Sequence, residues 1–223
     1  MKFVILVFDL DDTLYPEESF VFSGFSEVAK FLLNKVNCSE LEIFNDFKNQ
    51  YRSSGRVRVF DAVLSKLGIF TELILGECIQ IYRNHTPNIQ LHEGVTEVLE
   101  FFNGASKYIV TDGNPLTQNN KVEALQIRQF FEQVFTTWTF GLQAAKPSLV
   151  VFQKIAALEK SDLKQIVYVG DDPTKDFVSL NDVGATTVRI RQGRFRNVKV
   201  VDNYEAKFSI NRFIDLKIVA SEF

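Results

Sequence analysis

Three aspartates fall within four positions at the end of an apolar run. Asp9, Asp11 and Asp12 in "VFDLDDTLYP" close the run "FVILVF" (Phe3–Phe8). Later apolar runs end in the same way. Thr111 and Asp112 finish "KYIVT", and Asp171 and Asp172 follow "QIVYVG", with Asp176 shortly after. Lys146 lies between these two stretches. Carboxylates brought to one place repel unless something positive sits among them. An oxygen-only ligand set without His or Cys suits a hard cation, and Mg²⁺ suits a site that handles phosphate. In such a site one Asp can attack phosphorus and a second can protonate the leaving oxygen. A hydroxyl and backbone N–H groups can hold the phosphoryl oxygens, and a Lys can offset charge in the transition state. A phosphate dianion with Asp9 and Asp171 brings about four negative charges, and Mg²⁺ with Lys146 returns about three positive ones. That count leaves Asp11 room to carry a proton.

The elements that must position these groups are legible as short continuous runs rich in Val, Ile, Phe and Tyr. They are Phe3–Phe8, Lys107–Thr111, Gln133–Thr137, Gln165–Gly170 and Thr186–Ile190. Continuous rather than alternating apolar character marks parallel strands buried on both faces. Segments with helical spacing lie between them: Val95–Phe102, Pro115–Phe131, Ser148–Ala157 and Thr174–Val183. Pro115 and Pro147 stand where a first helical residue would. The alternation predicts an α/β fold, a Rossmann-like open parallel sheet, with ligands at the carboxyl ends of the strands. Asp9, Asp11, Thr111, Asp112, Asp171 and Asp172 then share one edge, and Lys146, placed at a helix start, can reach it.

The alternation breaks once. Four amphipathic stretches, Phe20–Val36, Leu41–Tyr51, Val57–Leu67 and Glu72–Arg83, are separated by turn signals such as "SSG" and "HTPN". They predict an all-α helical insertion over residues 15–90, with the core formed by 1–14 and 91–223. The tail "NYEAKFSINRFIDL" reads as a short strand and a closing helix.

The chain has 223 residues, 46% of them hydrophobic and 24% charged, with 22 Phe, enough for a large core. Its net charge of -3 argues against sequence-blind binding to nucleic acid or an anionic membrane. Cys38 and Cys78 are too few for a disulfide framework or a Cys-based zinc site, and both read as buried thiols. No apolar run reaches the roughly 20 residues of a membrane span, so the expectation is a soluble, cytoplasmic protein. His85 and His92 flank "TPNIQL" and read as hinge or surface histidines. "RIRQGRFR" (Arg189–Arg196) has little aromatic interleaving and reads as a strand end with a solvated loop. Asn114 is a candidate substrate contact.

Taken singly, each acidic stretch also reads as a turn or a helix cap. Taken in order they resemble the haloacid dehalogenase (HAD) superfamily. "DLDDT" (Asp9–Thr13), "VTDG" (Val110–Gly113), Lys146 in "KPS" and "VGDDPTKD" (Val169–Asp176) match its four motifs over essentially the whole chain. The insertion falls where subfamily I places its helical cap. "DTLYPEE", "YRNHTP" and "RIRQGRF" resemble its small-molecule phosphatases. The resemblance implies that Asp9 is the nucleophile, forming an aspartyl-phosphate, and a Mg²⁺ ligand. It implies that Asp11 is the acid/base, with its backbone carbonyl on Mg²⁺. Thr111 and the backbone of Asp112 and Gly113 would hold phosphate, Lys146 would pair with Asp9 and the phosphoryl group, and Asp171 would bind metal. Asp176 and Asp172 would orient Lys146 or a metal-bound water. Asp at position 11 fits phosphatases and phosphomutases, since the family's dehalogenases lack an acid there. One departure is "TFGLQAAKP", which has no Glu before Lys146 and an early Gly141. The function expected is a phosphatase of a small phosphomonoester, such as a sugar phosphate or nucleotide, under a cap that closes and excludes water. The rivals are a phosphomutase of the same fold and a non-catalytic binder of a metabolite or partner. The sequence does not fix the substrate or the oligomeric state.

Overall fold

The computed structural model describes residues 4–222. The first strand is β1 (Ile5–Phe8); Phe3, part of the expected run, lies outside the described residues. Residues up to Glu17 with Gln90 onward form one compact unit, and Glu18–Ile89 form a second.

The second unit is helical: α1 (Glu17–Leu32), α2 (Glu40–Ser54), α3 (Val59–Lys66) and α4 (Glu72–Asn84). α2 starts at a capping box, in which Ser39 N–H donates to Glu42 and Glu42 N–H to Ser39 Oγ, 2.8 and 3.3 Å. The apolar faces bury Phe25, Phe47, Val63 and Cys78 together, with the Phe25 and Phe47 rings stacked at 5.1 Å. Burial pushes the Cys78 thiol up to about 12. Cys38, expected buried, is exposed because it lies in the turn leading to the Ser39 cap. His85, expected at a hinge or surface, is buried in this unit, with its ring 4.9 Å from that of Phe20.

The first unit continues with α5 (Val95–Phe101), β2 (Lys107–Thr111), α6 (Pro115–Ala124), β3 (Gln133–Thr136) and α7 (Val150–Leu158). It ends with β4 (Ile166–Gly170), α8 (Val178–Asp182), β5 (Thr186–Ile190), β6 (Phe208–Ile210) and α9 (Leu216–Val219). The six strands form one sheet in the order β3-β2-β1-β4-β5-β6. Every pairing is parallel. β1, β2 and β4 are buried along their whole length, as a sheet covered on both faces requires. Phe8 is in register with Ile109 on β2 and Val169 on β4. The carboxyl ends of these three strands are therefore neighbours.

Several expected helices are shorter, for local reasons. Pro115 does open α6, but Gln126 at φ 55° ends the helical path well before Phe131. Pro147 opens no helix. The Lys146–Pro147 peptide is cis and α7 begins at Val150, so Lys146 sits on a loop. The stretch expected as a helix from Thr174 begins only at Val178, because Asp172 and Asp176 side chains take backbone N–H groups there and shape a turn. Arg189, at the strand end where it was expected, is fully buried. It donates to Glu205 at 2.7 Å and to the carbonyls of Phe195 and Val198 at 2.6 and 2.9 Å, which tie down the loop that follows.

Candidate active site

The Asp9 N–H donates to Val169 O at 2.8 Å. β1 is thus tied to β4 one residue past its end, and Asp9 is set beside the turn that carries Asp171. The chain then reverses through Asp12 at φ 52°. The Asp12 carboxylate accepts Glu17 N–H at 2.9 Å and Arg194 N–H at 3.4 Å, so it serves the turn. A Cβ on Gly193 would lie 2.1 Å from Asp12 Cγ, which leaves glycine as the residue that fits there.

Lys146 is 1% exposed at its side chain. Its ammonium lies 2.9 Å from Asp9 Oδ1, 2.8 Å from Asp176 Oδ1 and 2.9 Å from Tyr168 Oη. An ammonium has three N–H donors, and each here has an acceptor. Tyr168 in turn donates to Asp176 at 3.4 Å, and Asp172 N–H donates to Asp176 at 3.0 Å. Gly170 makes room for Asp176, whose Oδ2 would lie 2.4 Å from any Cβ there.

Asp9, Asp171 and Asp176 are all buried and each offers an oxygen within 4.8 Å of the others. Burial, aided by Asp176, pushes Asp9 up to about 7 against the pull of Lys146 and Lys175. Burial and the negative charges of Asp176, Asp9 and Asp12 push Asp171 up to about 10. For Lys146 burial works against the charge, but Asp176 and Asp9 hold the ammonium well above its ordinary range. With all three ionised, the carboxylates against one ammonium would leave two negative charges, which a divalent cation would cancel in place of the protons that burial favours on Asp9 and Asp171. The all-oxygen donor set suits a hard cation. Asp176, expected to orient other groups, thus joins the metal-capable set while also holding Lys146.

The Asp11 carboxylate faces another way. Lys121 Nζ lies 2.7 and 2.9 Å from its two oxygens. Gln118 Nε2 donates to it at 3.0 Å, and the Tyr15 hydroxyl also donates to it. Burial alone would raise this acid, but the Lys121 charge and these hydrogen bonds hold it down at about 2. The charge count that left Asp11 a proton omitted Lys121, so in this state Asp11 is a carboxylate. Gln118 also donates to Thr111 Oγ1 at 2.6 Å and so links the two motif loops.

Asp112 accepts Thr137 Oγ1–H at 2.8 Å and Lys146 N–H at 3.1 Å, and pairs with Lys175 at 2.8 Å. Burial opposes its ionisation, but Lys146 and Lys175 hold the carboxyl below its usual value. Gly113 follows at φ 130°, a conformation that favours glycine. Asn114, the candidate substrate contact, caps α6 by accepting Leu116 and Thr117 N–H at 3.0 and 3.2 Å. Asp172 turns one oxygen to the N–H and hydroxyl of Thr174, 3.0 and 2.6 Å. The fold therefore gathers Asp9, Lys146, Asp171 and Asp176 into one cluster, and Asp11 and Thr111 into a second joined by Gln118.

Sequence reasoning missed Gln118, Lys121, Tyr168 and Lys175. Gln118 and Lys121 are three residues apart on one face of a helix that starts just after β2, and that spacing was the available signal.

A family model described as haloacid dehalogenase-like hydrolase matches residues 4–184. A glyceraldehyde 3-phosphate phosphatase of Methanocaldococcus jannaschii is 29% identical over 95% of this chain and 94% of that protein. One of the same name from Methanopyrus kandleri is 26% identical over 97% of both. A magnesium-bound protein of Bacillus subtilis, assigned as an HAD hydrolase, superposes with a TM-score of 0.65. It is 18% identical, over 99% of this chain and 100% of that one, so the likeness is one of fold. Among the described residues no helix is long and apolar enough to cross a membrane.

Proposed function

The chain belongs to the haloacid dehalogenase-like hydrolases, and from that premise we propose that it is a Mg²⁺-dependent phosphatase of a small phosphomonoester. The observation that carries this reading is the unbalanced carboxylate cluster of Asp9, Asp171 and Asp176 around Lys146. Those three carboxylates, with the backbone carbonyl of Asp11 as a further oxygen, would hold the cation, which would draw charge from the phosphoryl oxygens when bound.

The rest of the chemistry falls to the chain's own groups. Asp9 attacks phosphorus, the ester P–O bond breaks, and an aspartyl-phosphate forms. Thr111 Oγ and the backbone N–H groups of Asp112 and Gly113 hold phosphoryl oxygens. Asp11 starts as a carboxylate. The arriving phosphate is a like charge that favours its uptake of a proton from solvent, and it passes that proton to the leaving oxygen. It then takes a proton from water as the water attacks phosphorus, which frees phosphate and restores Asp9. Lys146 holds Asp9 in line between Asp176 and Tyr168.

Both full-length relatives carry the name glyceraldehyde 3-phosphate phosphatase, so that triose phosphate heads the substrate panel. The test is hydrolysis of an aryl phosphate and of glyceraldehyde 3-phosphate, with Mg²⁺ or with EDTA, by wild type and Asp9→Asn. Turnover that needs Mg²⁺ and disappears in Asp9→Asn supports the reading. Absence of turnover in the wild type, or equal turnover in the variant, overturns it.

A further inference from the structure

We propose that the loop after β5 is an anion-gathering rim of the phosphatase site, in which Arg194 and Arg196 draw phosphate dianions to the carboxyl edge of the sheet by their charge. The inference rests on the phosphatase reading above and concerns how the charged ligand is brought in, not the groups that react with it.

Register places the loop at that edge. Gly170 on β4 is paired with Arg189 on β5, so the residues after Ile190 leave the sheet level with the turn that carries Asp171. β4 alone separates β5 from β1, which puts β5 two strand spacings, about 10 Å, from the strand that precedes Asp9. The loop then leans toward β1. Gly193 packs against the Asp12 carboxylate, and Arg194 N–H donates to Asp12 Oδ2 at 3.4 Å.

The loop is exposed, yet its backbone is held from below. The buried Arg189 guanidinium donates to the carbonyls of Phe195 and Val198 at 2.6 and 2.9 Å. A charge run that only faced solvent would need no buried guanidinium to shape it. Glu205 is already shared between Arg189 and Arg191, at 2.7 and 3.5 Å. Arg194 and Arg196 are exposed, and among the described residues neither has an ion-pair partner. The Arg194 guanidinium lies 4.5 Å from the centroid of the Phe195 ring, which steadies the head group and leaves its N–H donors free. Two unpaired cations thus stand at a fixed edge of a chain whose net charge is -3.

A rim of one sign raises the local concentration of ions of the other. Its distance from the nucleophile is about one Debye length at 0.1 M salt, so its pull is felt at low ionic strength and screened at high. The same field repels Mg²⁺. The rim therefore acts with opposite sign on the two ligands of the site, which a merely structural loop would not do.

The test uses calorimetry on the full chain for wild type, the double variant Arg194→Gln/Arg196→Gln and the double variant Arg194→Lys/Arg196→Lys. It measures inorganic phosphate binding to the Mg²⁺-saturated protein, and Mg²⁺ binding without phosphate, at ionic strengths of about 20 mM and about 1 M. The Gln pair should weaken phosphate binding about three- to tenfold at low salt and by less than about twofold at high salt, and should tighten Mg²⁺ binding at low salt. The Lys pair, which keeps the charge, should stay within about twofold of wild type for both ligands. With an aryl phosphate, the loss of kcat/KM in the Gln pair should fall on KM. Unchanged phosphate affinity in the Gln pair at low salt overturns the proposal. So does a loss that persists at about 1 M salt, or one that weakens phosphate and Mg²⁺ together, since either is the mark of a damaged loop. Absence of turnover in the wild type sinks the phosphatase reading instead, and the binding comparison still decides the role of the rim.

Discussion

Lys121 grips both oxygens of Asp11, at 2.7 and 2.9 Å, with the two side chains 4% and 18% exposed. The pair fixes the resting protonation of the proposed acid/base, which is ionised because an ammonium is held against it. Lys121→Gln removes that charge and lets burial raise the Asp11 carboxyl. More of it is then protonated at neutral pH, where it serves poorly as the base that activates water. The acidic limb of the pH–rate profile should move to higher pH, and aspartyl-phosphate should accumulate in rapid-quench experiments. The unfolding free energy should fall by about 3 kcal/mol from the broken buried pair. An unchanged pH profile would remove Asp11 from the water-activating step.

Asp171 makes the metal-free protein sensitive to alkali. Its carboxyl is raised from 3.8 to about 10 by burial and by Asp176, Asp9 and Asp12. A raised acid binds its proton more tightly in the folded state, so its contribution is present in full below pH 3.8 and is lost as pH rises toward about 10. Mg²⁺ takes the place of that proton, so the rise in unfolding temperature on adding Mg²⁺ should grow across this window. Asp171→Asn should raise the metal-free stability by about 2 kcal/mol near pH 8 and abolish the response to Mg²⁺. Scanning calorimetry with Mg²⁺ and with EDTA at several pH values reads both effects.

Tyr168 supplies the third acceptor of the Lys146 ammonium, at 2.9 Å. Tyr168→Phe should lower stability by about 1 to 2 kcal/mol, because a buried donor loses its partner. Lys146→Arg should not rescue activity where Lys146→Met abolishes it. A planar guanidinium cannot meet three acceptors arranged around one nitrogen in a closed pocket. Chemical denaturation and single-turnover rates distinguish the two effects.

Asn114 caps α6 through Oδ1. Asn114→Ala should cost about 1 kcal/mol, and Asn114→Asp should restore it. If activity follows stability through both variants, the residue acts as a cap; loss of activity in a stable Asn114→Asp would restore it as a substrate contact.

The strands were legible because a sheet covered on both faces demands unbroken apolar runs. β2 and β5 match their expected bounds, Lys107–Thr111 and Thr186–Ile190. Asp9, Lys146 and Asp171 were legible because their order along the chain follows the ends of those runs. Lys121 and Gln118 were not, since a polar residue on a helix reads alike whether it faces water or a carboxylate. The helix expected at Thr174 failed for a related reason, because Asp172 and Asp176 outbid the helical backbone for its own N–H groups. The segment after β5 was read as a solvated loop, and the tie that Arg189 makes to it from the strand end left no mark in the sequence.

The position of β1 in the sheet has a consequence for how the chain is made. β1 leaves the ribosome before the other five strands of its sheet, yet it lies between β2 and β4 and is hydrogen-bonded to Lys107–Ile109 and Ile166–Val169. The helical unit Glu18–Ile89 is contiguous and can settle while its flanking strand still lacks both neighbours. Asp9 acquires its fixed surroundings only after Gly170 and Asp176 have emerged. The proposed catalytic centre is therefore among the last parts of the molecule to come into being, and stalled or truncated chains would carry a finished helical unit beside a nucleophile with nothing to hold it.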